Sequence, residues 1–205
     1  AAFLADLDKA EVELHSGQEP EPVLDPLEAM AGSVLGDRFE VRSRLGSGST
    51  GLALLVNDYS RDDAEKPTVL KIAHDETKAE RLQHEYEILA SLDSARIVKP
   101  IGEPFNLDGR RCLQLENAGL PTLGTRIRDE SRLTFDQLER YGGDLLEAAA
   151  HLEARGVLHR DIKPDNLGVR PDSSGRPRIV LFDFSLSREP IEQVRAGTPP
   201  YLDPF

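Results

Sequence analysis

The sequence predicts an α+β fold, because strand-like patterns fill its first half and a long helical pattern lies in its second half. Short apolar or alternating runs bounded by turn residues predict the strands, which fall at 39–45, 52–56, 68–73 and on both sides of 108–109. Helical spacing of apolar residues covers 77–92 and 134–155. With 205 residues, the chain can hold one core or two small lobes.

Charge and cysteine content narrow the classes of function. The net charge of -12 argues against a surface for nucleic acid or for an anionic membrane, since both carry negative charge. The sequence shows neither an apolar run of about 18 residues, which a membrane span would need, nor a secretory signal. Cys112 is the only cysteine, so no internal disulfide can form and a cytoplasmic location is expected.

The first 37 residues differ in composition from the remainder. Nine acids and one base give this segment -8 of the net charge, and three prolines punctuate 17–26. We expect an acidic leader and proline-rich linker over 1–37, beginning either as a short amphipathic helix or as a tail. Because the first residue is alanine, we also expect the chain to be a piece of a longer protein with further domains.

The strongest chemical signal is the stretch His-Arg-Asp-Ile-Lys-Pro-Asp-Asn at 159–166. Asp161 and Asn166 stand five residues apart with Lys163 between them, so one loop can orient a hydroxyl and reach a metal. An isolated spacing of this kind would equally suit a polar turn. Six fixed residue types in eight positions, however, resemble the catalytic loop of protein kinases, H-R-D-x-K-P-x-N.

A glycine-rich turn lies between the first two predicted strands, at Gly46-Ser47-Gly48-Ser49-Thr50-Gly51. G-x-G-x-x-G also opens dinucleotide-binding folds, but there the last glycine starts a helix, whereas here a strand follows. The context resembles the glycine-rich loop of protein kinases, a hairpin folded over phosphates. That resemblance implies a nucleotide site whose predicted contacts in this region are Gly46, Ser47, Gly48, Gly51, Ala53 and Val69.

Lys71 interrupts the apolar strand over 68–73. A buried ammonium is costly unless it is paired. The strand resembles the V-A-I-K strand of protein kinases, whose lysine holds the α- and β-phosphates and pairs with a glutamate on a helix. Glu85 and Glu87 are both candidates; alignment through Ile97-Val98 assigns the pairing to Glu85 and leaves Glu87 to solvent.

Three later segments complete the resemblance. The stretch 115–119 resembles the hinge, where backbone groups from Glu116 to Ala118 are expected to bond the adenine edge. Asp183-Phe184-Ser185 resembles D-F-G, which implies that Asp183 binds magnesium together with Asn166, although serine replaces the glycine. Gly197-Thr198 resembles the end of the activation segment, which implies that Thr198 hydrogen-bonds near the catalytic residues Asp161 and Lys163.

The kinase resemblance covers residues 38–205 and implies a bilobal, protein-kinase-like α+β fold. We expect an antiparallel-sheet N-lobe with one helix over 38–115, then a hinge and a mostly helical C-lobe over 116–205, truncated after the activation segment. The implied reaction is transfer of the γ-phosphoryl group of Mg-ATP to a serine or threonine hydroxyl of a protein substrate. Because the C-lobe is expected to be partial, we expect weak or no activity from this chain alone.

Within that superfamily, 39–56 and 196–205 resemble the kinases of phage-defence systems of the phage-growth-limitation and BREX kinds. Two other functions stay open. Ser185 favours an ATP-binding pseudokinase or interaction module. A small-molecule phosphotransferase of the aminoglycoside-kinase kind shares the fold, but Lys163-Pro164 and Gly197-Thr198 resemble protein kinases instead.

Arg160 raises a question of regulation. In the kinases that this sequence resembles, an arginine at this position binds an activating phosphate. Residues 189–196 contain no hydroxyl side chain. We hypothesise that Glu189 or Glu192 supplies a standing carboxylate for Arg160 instead.

Overall fold

The computed structural model describes residues 24–48, 51–130 and 132–187. These ranges contain eight strands: β1 Val34–Leu35, β2 Phe39–Ser47, β3 Gly51–Asp58, β4 Thr68–Ala73, β5 Phe105–Leu107, β6 Arg110–Leu115, β7 Leu167–Pro171 and β8 Pro177–Leu181. The same ranges contain three α-helices, α1 Glu76–Ala90, α2 Leu123–Glu130 and α3 Phe135–Ala154, and two 3-10 helices, Pro26–Glu28 and Pro164–Asn166.

Six strands form one sheet in the order β1-β2-β3-β4-β6-β5, and β7 and β8 form a separate hairpin. Every neighbouring pair is antiparallel. The predicted hairpin across the glycine-rich turn is confirmed, since β2 pairs with β3. The predicted turn at Asp108-Gly109 is also confirmed, and both residues have the positive φ angles, 47° and 81°, of a tight hairpin turn.

The period-2 pattern of β3 and β4 gives the sheet an apolar face and an opposite face that carries Val69 and Lys71, which we call the functional face. Leu54, Leu70 and Ile72 are fully buried on the first face, in a cluster that also contains residues of β2, β5 and β6. Val69 and Lys71 alternate with them and point to the opposite face. Burying each large aliphatic side chain contributes roughly 1.5–3 kcal/mol, so this cluster holds the sheet rigid behind Lys71.

Residues 24–37 pack onto the apolar face of the sheet. Ala29 and Leu35 are 0% and 1% exposed in the same cluster, and β1 pairs with β2. The composition of residues 1–37 predicts that this stretch is the end of an acidic, proline-rich linker. Instead, Pro26 begins a 3-10 helix whose N-cap is Asp25, which accepts a hydrogen bond from the Leu27 amide at 3.0 Å.

A second apolar cluster joins α1, α3 and the β7–β8 hairpin. The chain between α1 and β5 is hydrogen-bonded to β8, because Val98 donates to the Leu181 carbonyl at 3.0 Å and Leu181 donates to the Arg96 carbonyl at 2.8 Å. This connection fixes the end of α1 against the strand that leads to Asp183. The sheet, α1 and the hairpin therefore meet around Asp183.

Helix α3 begins as its sequence predicts. Thr134 accepts from the Gln137 amide at 3.2 Å, and Gln137 accepts from the Thr134 amide at 2.9 Å, so the predicted capping box is confirmed. Gly156, with φ of 64°, follows the helix end. Although α3 has 20 residues, no helix among the described residues combines the length and apolar character that a membrane crossing requires.

Candidate active site

A cavity of about 760 Å³ lies between the glycine-rich turn, the functional face of the sheet and residues 115–122. Its volume is within the range typical of small-molecule sites. Ten of the residues that the sequence predicted for the site line it: Gly46, Ser47, Gly48, Gly51, Ala53, Val69, Lys71, Glu116, Ala118 and Asp183. The remaining apolar wall includes Leu52, Leu82, Val98 and Leu115.

The glycines of the turn do not share one role. A side chain added at Gly46 or Gly48 would meet no atom within 4 Å, so these two positions leave open space beside the cavity. A Cβ at Gly51 would lie 2.1 Å from the Ile72 carbonyl oxygen. Gly51 is therefore required by its packing against β4, independently of any ligand, whereas Gly46 and Gly48 leave the backbone accessible.

The ion pair predicted between Lys71 and Glu85 is present at the edge of this cavity. Lys71 Nζ lies 2.6 Å and 2.9 Å from the two carboxylate oxygens of Glu85 on α1, and 3.1 Å from Oδ1 of Asp183. Glu85 is 1% exposed and also accepts from the Phe184 amide at 3.1 Å. Glu87 is exposed, as the sequence predicted. A buried carboxylate needs several such donors.

Charge in this cluster is set by burial and by neighbouring groups. Burial lowers the pKa of Lys71, but the carboxylates of Asp183 and Glu85 outweigh it and raise that pKa overall. The positive charge of Lys71 lowers the pKa of Asp183 to about 2. Burial raises the pKa of Glu85, against the opposing effect of Lys71. Lys71 is thus a stable cation and Asp183 a stable anion at neutral pH.

Asp183 reaches Lys71 through an unusual backbone conformation. Its φ of 67° lies in the left-handed region, which aspartate tolerates better than most residues. The next residue, Phe184, is fully buried and makes an edge-on ring contact with His159 at 4.6 Å. Packing of Phe184 therefore holds the strained backbone and directs Asp183 into the cavity.

The loop 159–166 brings its three predicted residues together. Lys163 Nζ lies 2.7 Å from Oδ2 of Asp161. Asn166 Nδ2 donates to the same oxygen at 3.0 Å and to the Asp161 carbonyl at 2.8 Å. The Asp161 side chain keeps 12% of its surface exposed. Two cationic or polar donors thus orient one carboxylate that solvent still reaches, which is the arrangement a proton acceptor requires.

Comparison with known proteins identifies this arrangement. Residues 39–204 match the sequence model of the family described as the protein kinase domain. The chain belongs to the protein kinase domain family. The predicted resemblance to the protein kinase superfamily is therefore confirmed.

Relatives of this kinase domain occur in bacteria and animals. "Probable kinase PglW" of Streptomyces coelicolor is 39% identical over 206 residues, and the alignment covers 88% of this chain and 13% of that protein. Human "Ribosomal protein S6 kinase alpha-3" is 31% identical over 176 residues, and the alignment covers 82% of this chain and 23% of that protein. Mouse "Calcium/calmodulin-dependent protein kinase type IV" is 31% identical over 174 residues, and the alignment covers 83% of this chain and 36% of that protein. The chain therefore spans from 13% to 36% of the length of these relatives.

His159 is a residue whose role the sequence analysis did not assign. The Asp161 amide donates to its Nδ1 at 3.3 Å, and its Nε2 lies 3.0 Å from the Phe182 carbonyl oxygen. These contacts require a neutral ring with the proton on Nε2. Burial lowers the pKa of His159 and favours that neutral form. The ring therefore ties the loop of Asp161 to the strand end that carries Asp183.

The hinge of the kinase domain is held by contacts that the sequence analysis missed. Arg170 on β7 donates to the Glu116 carboxylate and to the Asn117 carbonyl, both at 3.1 Å. A Cβ added at Gly168 would lie 2.3 Å from the Ala118 carbonyl oxygen, so β7 and the hinge backbone are in close contact. A glycine inside a strand is a signal for such an approach.

A buried ionic cluster links α3 to β8. Asp144 is 2% exposed and accepts hydrogen bonds from the Arg178 guanidinium and, at 2.9 Å, from the Ile179 amide. Arg96, just before the residues bonded to β8, places Nε 3.4 Å from Asp144 and 3.2 Å from Glu147. The cluster anchors the segment that follows α1.

Some predicted residues lie outside the described ranges. Thr198 is one of them, and so are Glu189 and Glu192, the carboxylates proposed for Arg160. Arg160 itself has a φ of 69°, and its buried Nη1 has no hydrogen-bond partner among the described residues. The pairing of Arg160 with a carboxylate remains a prediction.

Proposed function

We propose that this kinase domain transfers the γ-phosphoryl group of Mg-ATP to a serine or threonine hydroxyl of a protein substrate. One observation carries the proposal: Lys71 contacts Glu85 and Asp183 together at the wall of the cavity under the glycine-rich turn. Three elements that are distant in sequence thus bring a cation and a carboxylate together beside the cavity, which supports a site for a nucleoside triphosphate.

The cavity suits ATP in both its apolar and its polar parts. Ala53, Val69 and Leu115 provide apolar surfaces for a flat base. The backbone at Glu116 and Ala118 would bond its edge, because backbone groups of the hinge border the same space. The backbone around Gly46 and Gly48 is open to the phosphates, which Lys71 would contact from the opposite side.

Magnesium fits the donor set at the phosphate end. Asp183 offers a carboxylate with a pKa of about 2, lowered chiefly by the charge of Lys71. Asn166 commits Nδ2 to Asp161, so its amide oxygen is the atom left to offer a hard cation. Asp183 and Asn166 are the residues that would hold Mg²⁺, which would supply charge neutralisation at the phosphates when bound.

Asp161 orients the attacking hydroxyl and accepts its proton. Asn166 and Lys163 hold the carboxylate in one orientation, so little reorganisation is needed at the moment of transfer. Lys163 also carries the positive charge that would steady the γ-phosphate. Thr198 would add a hydroxyl near this pair. Positioning and charge neutralisation therefore account for the catalysis.

The proposal extends to the setting of the domain. Its partners are ATP and protein substrates, with no nucleic acid or membrane, and it acts in the cytoplasm as one domain of a longer protein. The names of the relatives, which include a ribosomal protein S6 kinase and a calmodulin-dependent kinase, support a protein substrate over a small molecule. The bilobal arrangement proposed for the domain, with boundaries at 38–115 and 116–205, would place the cavity between its lobes.

Transfer of labelled γ-phosphate from Mg-ATP to a generic mixture of protein substrates tests the proposal, followed by identification of the phosphorylated residue type. The domain is assayed within the longer protein and alone, beside Asp161→Ala. We expect phosphoserine or phosphothreonine that depends on Asp161. A rise in Tm with Mg-ATP but no transfer in either form would favour the pseudokinase alternative that Ser185 suggests. Absence of any nucleotide binding would overturn both.

A further inference from the structure

A segment outside the kinase family match contacts the glycine-rich turn through a short series of hydrogen bonds. The family match begins at residue 39, whereas the structure describes an ordered N-terminal strap, residues 25–35, on the apolar face of the sheet. The strap is anchored by the buried residues Ala29 and Leu35 and by the pairing of β1 with β2. Its position is therefore fixed by packing and by backbone hydrogen bonds together.

The first connection runs through Arg44, which lies on β2 two residues before Gly46. Arg44 Nη1 donates to the carbonyl oxygens of Leu27 at 3.0 Å and Ala29 at 2.9 Å. These are main-chain acceptors in the strap, so any side chain at 27 or 29 would preserve them. The end of β2 that leads into the turn is thus held by the strap.

The second connection runs from the strap to the other side of the turn. Asp25 accepts two hydrogen bonds from Arg110 on β6, from Nε at 3.0 Å and from Nη2 at 2.5 Å. The third donor of the same guanidinium, Nη1, bonds the His74 carbonyl at 2.8 Å. Arg110 is the main influence that lowers the pKa of Asp25. A planar guanidinium that bridges a carboxylate and a carbonyl fixes both in direction.

His74 completes the connection to the turn. Its Nε2 lies 3.2 Å from Oγ of Ser47, which stands between Gly46 and Gly48 and lines the cavity. Gly46 and Ser47 are also paired with Ala53 and Leu52 in the β2–β3 ladder, so the His74 contact adds a side-chain restraint where that ladder ends. The Gly48 amide donates to the Gly51 carbonyl at 2.9 Å, within the turn itself.

We propose that the N-terminal strap positions the glycine-rich turn, and thereby sets the affinity of the domain for the phosphate part of its nucleotide. Arg44, Arg110 and His74 are the positioning residues that transmit its effect. The inference rests on the proposed nucleotide site, since the turn matters to ligand only if phosphates lie under it. An exposed ion pair alone contributes little; here, however, Arg110 joins the strap to the backbone that carries His74.

Two single substitutions and a matched control test the proposal in the full chain. Asp25→Ala removes both the partner of Arg110 and the N-cap acceptor of the Leu27 amide, so it releases the strap at this end. His74→Ala removes only the contact with Ser47. Asp93→Ala is the control, because it removes an exposed carboxylate that pairs with Lys99 at 2.7 Å after α1. Asp25→Glu keeps the negative charge at this position and is expected to behave like the parent protein.

Hydrogen exchange of the Gly48 amide is the readout that needs no nucleotide. We expect Asp25→Ala and His74→Ala to accelerate its exchange, Asp93→Ala to leave it unchanged, and exchange in β8 to stay at the parental rate. Unchanged exchange at Gly48 in both variants would overturn the proposal. Faster exchange throughout the sheet would also overturn it, since that would indicate loss of stability rather than loss of positioning.

Binding of Mg-ATP and of adenosine then tests the consequence for ligand. Loss of one positioning hydrogen bond is expected to weaken Mg-ATP binding roughly 3- to 10-fold, with adenosine affinity changed less than about two-fold. The double variant should bind Mg-ATP no more weakly than the single variant with the larger effect, because both substitutions act through one connection. Equal weakening of both ligands would overturn the proposal. If the parent protein binds neither ligand, the proposed function fails, and the exchange measurement still decides whether the strap positions the turn.

Discussion

The carboxylate of Asp183 lies 3.1 Å from the ammonium of Lys71, although 112 positions separate the two residues. Lys71 is fixed by the sheet through the pairing of β4 with β3. Asp183 follows β8, whose end is tied to the loop 159–166 by the contact of His159 with the Phe182 carbonyl. Glu85 on α1 bonds both the Lys71 side chain and the Phe184 amide. A shift of α1 would therefore disturb Lys71 and the carboxylate proposed to bind metal together.

Replacing Lys71 with methionine should weaken Mg-ATP binding far more than adenosine binding. The methionine side chain retains most of the apolar volume but cannot contact phosphates, whereas the base would lie against the cavity-lining residues Ala53 and Val69. Loss of one charge-assisted contact corresponds to roughly 10- to 100-fold in affinity. Isothermal titration with both ligands measures the difference. Lys99→Met, at an exposed lysine paired with Asp93, is the control; a parallel loss for adenosine would contradict the prediction.

Asp161→Ala should keep nucleotide binding and lose about 10²–10⁴ in turnover, because a positioned proton acceptor contributes that much. The nucleotide cavity is lined by other residues, so its affinity should be nearly unchanged. Steady-state phosphate transfer and ATP titration on the same preparation separate the two effects. Asp93→Ala serves as the control. Transfer at the parental rate would refute the role of Asp161.

The sequence was sufficient to predict contacts of groups whose burial without a partner costs much free energy. Lys71 in an apolar strand demands a buried partner. The helical segment offers Glu85 and Glu87, and the resemblance to protein kinases, aligned through Ile97-Val98, selects Glu85. The turn at Asp108-Gly109 was likewise predictable, because few residue pairs tolerate two positive φ angles. In each case one local pattern has only a few physical solutions.

The sequence did not predict contacts in which polar residues meet across long distances. Asp25 and Arg110 are 85 positions apart and belong to segments without a shared periodicity. The strap follows the proline-rich stretch 17–26 and itself contains Asp25, Pro26 and Glu28, so its composition is that of a linker, and only its docking against the sheet distinguishes it from one. Arg170 and Glu116 at the hinge are similar, since each alone is an ordinary surface residue. Tertiary packing decides such pairs.

His159 should make the stability of the domain depend on pH below about 6.5. Burial lowers its pKa from 6.5 in the folded state. As pH falls through 6.5, the unfolded chain binds a proton that folded His159 does not, so the free energy of unfolding decreases. Above 6.5 this residue contributes no pH dependence. Urea unfolding at a series of pH values measures the effect.

The matched comparison uses another histidine. His159→Gln should remove this part of the pH dependence, while His84→Gln, at an exposed position on α1, should retain it. Long-range ¹H–¹⁵N spectra provide a second measurement, in which His159 should show the Nε2–H tautomer at neutral pH. A ring that titrates at or above 6.5 would contradict the assignment.

Gly168→Ala should destabilise the domain by about 1–3 kcal/mol, the usual range for overpacking. The added Cβ would lie 2.3 Å from the Ala118 carbonyl oxygen, a backbone atom that cannot rotate away. Gly142→Ala on α3 is the control, because a Cβ there meets nothing within 4 Å and alanine favours a helix by about 1 kcal/mol. The two substitutions should therefore shift Tm in opposite directions. An unchanged or raised Tm for Gly168→Ala would show that the hinge backbone yields freely.

Asp144→Ala should cost roughly 3–5 kcal/mol of stability, because it leaves Arg178 without its buried partner and the Ile179 amide without an acceptor. Glu147→Ala is the matched control on the same helix. Its carboxylate contacts Arg96 at 3.2 Å but is 54% exposed, so its loss should cost about 0–1 kcal/mol. Chemical unfolding of the two variants measures the difference. Equal small losses would mean that the buried cluster adds little, and that apolar packing alone anchors the segment after α1.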